Sequence, residues 1–174
     1  MKNYRWVIFL IFLFNFFTFS VNAQSPYVLP YPSFMPGSMF YKINIIKDEI
    51  LRHWYFGSFG QFKYNLKQSD KYLVEAKTLF EYKQYLLGSE ALKKSDNFFT
   101  QTTINLNTAR GEGKDIKGNF LILKNAGSKH IEVLSKLGNE VPESFTWSPE
   151  KKKPTILQLK KDIDNSIEIR KKHQ

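Results

Sequence analysis

The chain has 174 residues, no cysteine, and a formal net charge of +10, from 26 lysines and arginines against 16 carboxylates. Without cysteine there is no disulfide staple and no thiolate metal site, so packing alone must hold the fold. No glycine-rich phosphate loop, nucleophile elbow or metalloprotease helix occurs in the sequence.

Lys2 and Arg5 precede an apolar run over residues 6–19, broken only by Asn15 and Thr18, and small residues stand at Val21 and Ala23. A charged start, an apolar stretch and a small-residue site in that order predict a cleavable signal peptide over residues 1–23. The alternative is an uncleaved anchor. It needs about 20 apolar residues, and this run is shorter and has no basic flank after it. The mature chain is then expected to start at Gln24 and to be extracytoplasmic, either secreted or periplasmic. Loss of Lys2 and Arg5 leaves a net charge of +8, divided about equally between residues 24–147 and 148–174. Such a surface favours anionic partners such as envelope polymers, lipid headgroups or nucleic acid, or is simply a solvated basic surface. No second apolar run is long enough to span a membrane.

Residues 24–37 hold Pro26, Pro30, Pro32 and Pro36. Proline fixes φ and removes a donor, so this segment is expected to be extended. Its apolar residues predict docking on the body, with Leu29, Tyr31 and Phe34 as the anchors. The remaining residues, 38–174, are predicted to form one helical domain.

A first helix is predicted over residues 38–55, its core stripe being Phe40, Ile43, Ile46 or Lys47, Ile50 and Trp54, with Gly57 as the stop. A long amphipathic helix follows, its stripe running through Phe59, Phe62, Leu66, Ser69, Leu73, Ala76, Phe80 and Leu87, with Gly88 ending it. Lys63, Lys67, Lys71 and Lys77 fall off that stripe and are expected to face water. Ser89 is the predicted N-cap of a third helix that carries Leu92, Phe99, Leu106 and Ala109 and breaks at residues 111–113. Its threonines lower its propensity. A fourth helix is predicted over residues 115–137 with Ile116, Phe120, Leu123, Ala126, Ile131, Leu134 and Leu137 inward and Gly138 as its end. Residues 139–147 read as a loop. A fifth helix is predicted after Pro154, with Thr155 as N-cap and Ile156, Leu159 or Lys160, Ile163 and Ile167 inward. The alternative start is Pro149 behind Ser148. Arg170, Lys171 and Lys172 at its end suit the helix dipole. No strand alternation is visible. The fold class is therefore all-α, an up-down bundle of four to five helices behind a Pro-rich extended segment.

The histidines offer little. His173 is near the chain end, His53 beside Trp54 reads as a core-edge residue, and His130 and Glu132 diverge at i, i+2. A haem or metal site joining His53 and His130 is disfavoured against structural roles for both. Glu75 with Glu81 or Asp70 lacks the Glu-x-x-His pairing of di-iron bundles. Aromatics beside lysines, as at Phe62, Lys63 and Tyr64, can stack on bases but on a helix usually mark the core face. No catalytic, cofactor-binding or metal-binding residue is assigned, and no cofactor is expected.

Several stretches are more specific: Leu29-Pro30-Tyr31-Pro32, Met35-Pro36-Gly37-Ser38, the aromatic-rich helix after them, Phe59 to Leu66, Asp70 to Ala76, and Val141-Pro142-Glu143 before the last helix. They resemble the exported helical domains of bacteria and archaea catalogued as domain of unknown function 5667. Residues 63–65 and 69–71 and the threonines of the third helix depart from that pattern. The resemblance implies a helical fold and export and no activity. The leading expectation is an extracytoplasmic, non-enzymatic helical interaction module whose partner is an envelope protein or an anionic polymer. The alternatives are a secreted or periplasmic helical chaperone (a holdase), ranked lower because the sequence lacks the paired Leu-Thr-x-x-Gln motifs of the best-known such chaperones, and a binder of extracellular DNA, with nucleic acid the less favoured partner. No small-molecule substrate is evident.

Overall fold

The computed structural model describes residues 25–151 and 153–173. The expected signal peptide, residues 1–23, lies outside them. Five helices follow in order: α1 (Met39–Trp54), α2 (Gly57–Glu81), α3 (Tyr85–Gly111), α4 (Lys117–Glu140) and α5 (Leu159–Lys172). Between the last two lie β1 (Phe145–Trp147) and β2 (Thr155–Leu157). Over the described residues the fold is an all-α helical bundle with one small antiparallel sheet, in which Phe145 pairs with Leu157 and Trp147 with Thr155.

The centre is an antiparallel hairpin of α2 and α3. Phe80 meets Tyr85 near the turn, Ser69 meets Ser95 midway, and Tyr64 meets Phe98 further along, so the two chains run in opposite directions. The midpoint is a close crossing. Ser69 Oγ donates to the Ser95 carbonyl at 3.0 Å, and Ser95 Oγ returns a bond to the Ser69 carbonyl at 2.8 Å. Only a small side chain on each helix allows carbonyls to come within such reach. α4 and α5 pair likewise, with Gly138 near Ile163 and His130 near Arg170.

Several expected boundaries move. α2 ends at Glu81 rather than at Gly88, because Lys83 takes a left-handed φ of 59° and the amide of Gln84 bonds back to the Leu79 carbonyl at 2.8 Å. Gly88 lies inside α3, where a Cβ would meet the Phe80 ring at 3.1 Å. It is there for close packing, not as a helix stop. Ser89 is buried within α3 and is not its cap. The threonines of α3 are accommodated by bonding back one turn, Thr100 Oγ1 to the Asp96 carbonyl and Thr108 Oγ1 to the Ile104 carbonyl, each at 3.0 Å. α4 runs through Gly138 to Glu140, since no left-handed turn is needed there. Thr155 and Ile156, expected to open the last helix, form β2 instead, and Ile156 is exposed. Phe120, expected in the core, is also exposed.

The core has two apolar parts. One gathers Leu73, Leu79, Phe80, Leu92, Leu134, Leu137, Leu159 and Ile163. The other gathers Phe62, Leu66, Phe99, Leu106, Ile116, Leu123 and Ala126. Full burial of Leu73 alone removes enough apolar surface to contribute about 1.5–3 kcal/mol. Along each of α2, α3 and α4 the two parts occupy opposite ends, and a polar stretch separates them. The Pro-rich lead docks through Tyr27, Leu29 and Met35. Tyr31 is 96% exposed and Phe34 half-exposed against Phe40, so the expected anchors Tyr31 and Phe34 are corrected.

Candidate functional site

Two features of the fold are candidates. The first is the polar layer between the two apolar parts. Asp70 of α2, Asp96 and Ser95 of α3, His130 of α4, and Ser166 and Arg170 of α5 meet there. His130 Nε2 lies 2.7 Å from Asp70 Oδ1, and Tyr27 Oη donates to Asp70 Oδ2 at 2.6 Å. Arg170 Nε points at His130 Nδ1 at 3.5 Å, its second nitrogen donates to Ser95 Oγ at 2.8 Å, and its third pairs with Asp96. Ser166 Oγ donates to the other oxygen of Asp96 at 2.8 Å. The Phe99 ring packs under both the guanidinium and the imidazole.

This chain of contacts fixes protonation. Burial drives the His130 pKa below its ordinary value, against the pull of Asp70. The imidazole is then neutral, with its proton on Nε2 facing the carboxylate and its Nδ1 lone pair accepting from Arg170. Burial also lowers the Arg170 pKa, opposed by Asp96, and raises that of the Tyr27 hydroxyl, reinforced by Asp70. An Asp–His couple of this form orients a general base when the far nitrogen faces a nucleophile. Here the far nitrogen faces a guanidinium, and His130 and Arg170 are both fully buried. The layer ties four helices and the Pro-rich lead into one register.

The second feature is α1. Ser38 caps it, its hydroxyl accepting from the Phe40 amide at 3.3 Å. Its expected core stripe is on the wrong side. Ile43, Ile46 and Ile50 are each about three-fifths exposed, and Met39 and Trp54 more so. The side turned to the body is polar. Asp48 is buried and paired with Lys71 of α2, and its carbonyl accepts from Tyr64 Oη at 3.1 Å. Tyr41 Oη donates to Glu75 Oε1 at 3.0 Å, and Gln61 Nε2 donates to the Tyr55 carbonyl at 2.6 Å. At 100° per residue, Met39, Ile43, Ile46, Ile50 and Trp54 centre about 140° from Tyr41, Asn44, Asp48, Leu51 and Tyr55. The helix is amphipathic but mounted with its apolar face toward solvent.

Three expectations are corrected here. Lys71, expected to face water, is largely buried because Asp48 needs its charge. Arg170, expected at the end of the last helix to suit its dipole, is instead wholly enclosed by the layer. His53, expected at the core edge, is exposed and lies 3.8 Å from Glu49. His130 is a structural histidine, and Glu132 beside it pairs with Lys129 at 2.7 Å. Glu75 is buried with Oε2 unpartnered among the described residues, and burial raises its carboxyl pKa. Among the described residues no group of His, Cys, Asp and Glu is placed to hold a metal ion, and no helix is long and apolar enough to cross a membrane.

The layer was missed in the sequence although it leaves a mark. Polar side chains replace apolar ones at core spacing on α2 to α5: Asp70 between Leu66 and Leu73, Asp96 between Leu92 and Phe99, His130 between Ala126 and Leu134, and Ser166 and Arg170 after Ile163. No family model, curated protein or solved structure matches the chain.

Proposed function

We propose that the protein is an exported, non-enzymatic helical interaction module, and that the outward apolar face of α1 is its contact surface. The observation that carries this reading is the mounting of α1. Its polar side supplies the attachment to the body, which leaves Ile43, Ile46, Ile50 and Trp54 free. Contiguous apolar faces on a folded body mark interaction sites. Export is supported by the charged, apolar and small-residue order of residues 1–23. The absence of catalysis is supported by the polar layer, whose histidine and arginine are committed to one another. The likeness to domain of unknown function 5667 belongs to the same proposal.

The test has two parts. N-terminal mass spectrometry of the protein from an expressing cell's envelope and medium is expected to find Gln24 first, and retained Met1 overturns export by cleavage. An Ile46→Asp variant is expected to unfold at the wild-type urea concentration, because a contact face does not hold the fold. A loss of about 2–5 kcal/mol, the range for a packed aliphatic residue, makes the face part of the core and removes the reading. A holdase would use the same face, and failure to suppress aggregation of an unfolded client at equimolar ratio disposes of that version. Turnover of a peptide, peptidoglycan or phosphoester substrate that Glu75→Gln abolishes would make the protein an enzyme.

A further inference from the structure

We infer that the outward face of α1 docks on an anionic lipid surface, with the helix lying in the plane of the headgroups. This rests on the reading of that face as a contact surface and names its partner.

Size argues first. α1 has 16 residues, about 24 Å at the usual rise, and a helix is about 10 Å wide. The stripe therefore offers about 240 Å², against about 800 Å² per partner in a stable protein interface. A second copy joined through this stripe alone falls well short. Charge argues against it too. With Ile43 and Ile50 at the seam of a parallel pair, Lys42 of one copy faces Lys47 of the other. A bilayer has no such area threshold, since an interfacial helix sinks its apolar side about 5–10 Å and keeps its charges in the headgroups.

The rim is cationic. Lys42, Lys47 and Arg52 are exposed on α1 against one exposed carboxylate, Glu49. Glu49 already lies 3.8 Å from both Arg52 and His53. The other carboxylate of the helix, Asp48, is buried against Lys71. Lys67 of α2 shares a groove of about 490 Å³ with Lys47, walled by Tyr31 and Phe34 of the Pro-rich lead. Lysine stems can lie along the apolar stripe while their ammonium groups reach phosphates. Phe40 stands near the start of the stripe and Trp54 at its end, where the indole N–H can remain with the headgroups while the ring sinks. The hydrogen bonds beneath α1 hold it in this attitude, so docking requires no rearrangement.

The experiment uses the full chain with Trp6→Phe and Trp147→Phe, which leaves Trp54 as the one tryptophan, excited selectively over the tyrosines. The apolar run at residues 6–19 can enter either bilayer by itself, and the comparisons between the two vesicle types and with Ile46→Asp, all of which keep that run, remove its contribution. Vesicles of phosphatidylglycerol with phosphatidylcholine, and of phosphatidylcholine alone, carry bromine on their acyl chains. Trp54 is expected to shift to the blue and be quenched by bromine on the anionic vesicles. Each of Lys42→Gln, Lys47→Gln and Lys67→Gln should weaken this about fivefold, roughly 1 M salt should suppress it, and Ile46→Asp should abolish it. Equal quenching on the two vesicle types, or quenching that survives Ile46→Asp, overturns the inference. Acrylamide quenching before lipid is added separates the two levels of claim. If Trp54 is open to acrylamide but ignores both vesicles, the contact-surface reading stands and the lipid inference falls. If Trp54 is already shielded, the lipid inference falls. Shielding that dilution relieves means a second copy, and the contact-surface reading stands; shielding that it does not relieve means a segment of the same chain, and that reading falls too.

Discussion

Nδ1 of His130 accepts a hydrogen bond from Nε of Arg170 at 3.5 Å while both side chains are fully buried. That contact holds only for the neutral imidazole, because a proton on Nδ1 would face the guanidinium.

The pH dependence of stability follows. An unfolded histidine has a pKa of about 6.5, and burial puts the folded value of His130 below it. Between the two values the unfolded chain binds a proton that the fold refuses. The stabilising contribution is thus fully present above about pH 6.5 and is lost as pH falls through the folded value. Glu75 has the opposite sign. Its folded pKa is raised by burial, so its contribution is present at low pH and is lost as pH rises from its unfolded value through the folded one. Acidification from about pH 7.5 to about pH 5 should therefore bring a fall in the urea midpoint from His130, opposed by Glu75. The fall should steepen in Glu75→Gln and flatten in His130→Gln. An unchanged slope in His130→Gln contradicts the assignment.

Arg170 closes the layer, and its removal strands Asp96. Breaking one partner of a buried ion pair costs about 3–5 kcal/mol, so Arg170→Ala should lose that much in urea unfolding. Lys171→Ala, next in sequence but exposed and paired with Glu168, should change stability by at most about 0.5 kcal/mol. Replacing Arg170 and Asp96 together by apolar residues should recover part of the loss, since no charge is left unpaired.

Lysines on α2 separate by depth. Lys63→Ala should cost at most about 0.5 kcal/mol. Lys71→Ala leaves the Asp48 carboxylate buried without its cation and should cost about 1–3 kcal/mol. Its loss should appear as faster amide exchange in α1 with little change in α4. Leu73→Ala, at the fully buried centre of α2, should cost about 2–5 kcal/mol and speed exchange throughout. Equal effects at Lys63 and Lys71 would mean that the seam between α1 and α2 is not as described.

Gly60 sets the approach of α1 to α2. A Cβ there would stand 2.9 Å from the backbone carbon of Tyr55, and backbone cannot yield as a side chain does. Gly60→Ala should destabilise by about 1–3 kcal/mol, the cost of overpacking, despite the gain of about 1 kcal/mol in helix propensity. A net stabilisation would show that the turn has room.

The helices were legible because Leu66, Leu73, Phe80, Leu92, Phe99, Leu123 and Leu134 recur at helical spacing and are all buried. The ends were less so. A left-handed residue can be lysine when its own and the following amide donate back to preceding carbonyls, as at Lys83, and a helical glycine can serve packing, as at Gly88 against Phe80. The orientation of α1 was misread for a physical reason. Periodicity reports that one side is apolar, not whether that side meets protein. The polar layer was hidden because pairing of Asp70 with His130 and of Asp96 with Arg170 joins residues 60 and 74 positions apart, which no local pattern reveals.

The mounting of α1 is the point on which the rest depends, and hydroxyl-radical footprinting with mass spectrometry tests it most directly. With α1 placed as described, Met39, Ile43, Ile46, Ile50 and Trp54 should be oxidised rapidly in the free protein, while Tyr41 and Leu51 are protected to the degree of half-buried residues. The opposite pattern, with Ile43, Ile46 and Ile50 protected and Tyr41 and Leu51 labelled, would place the apolar face against α2 and contradict the proposed contact surface.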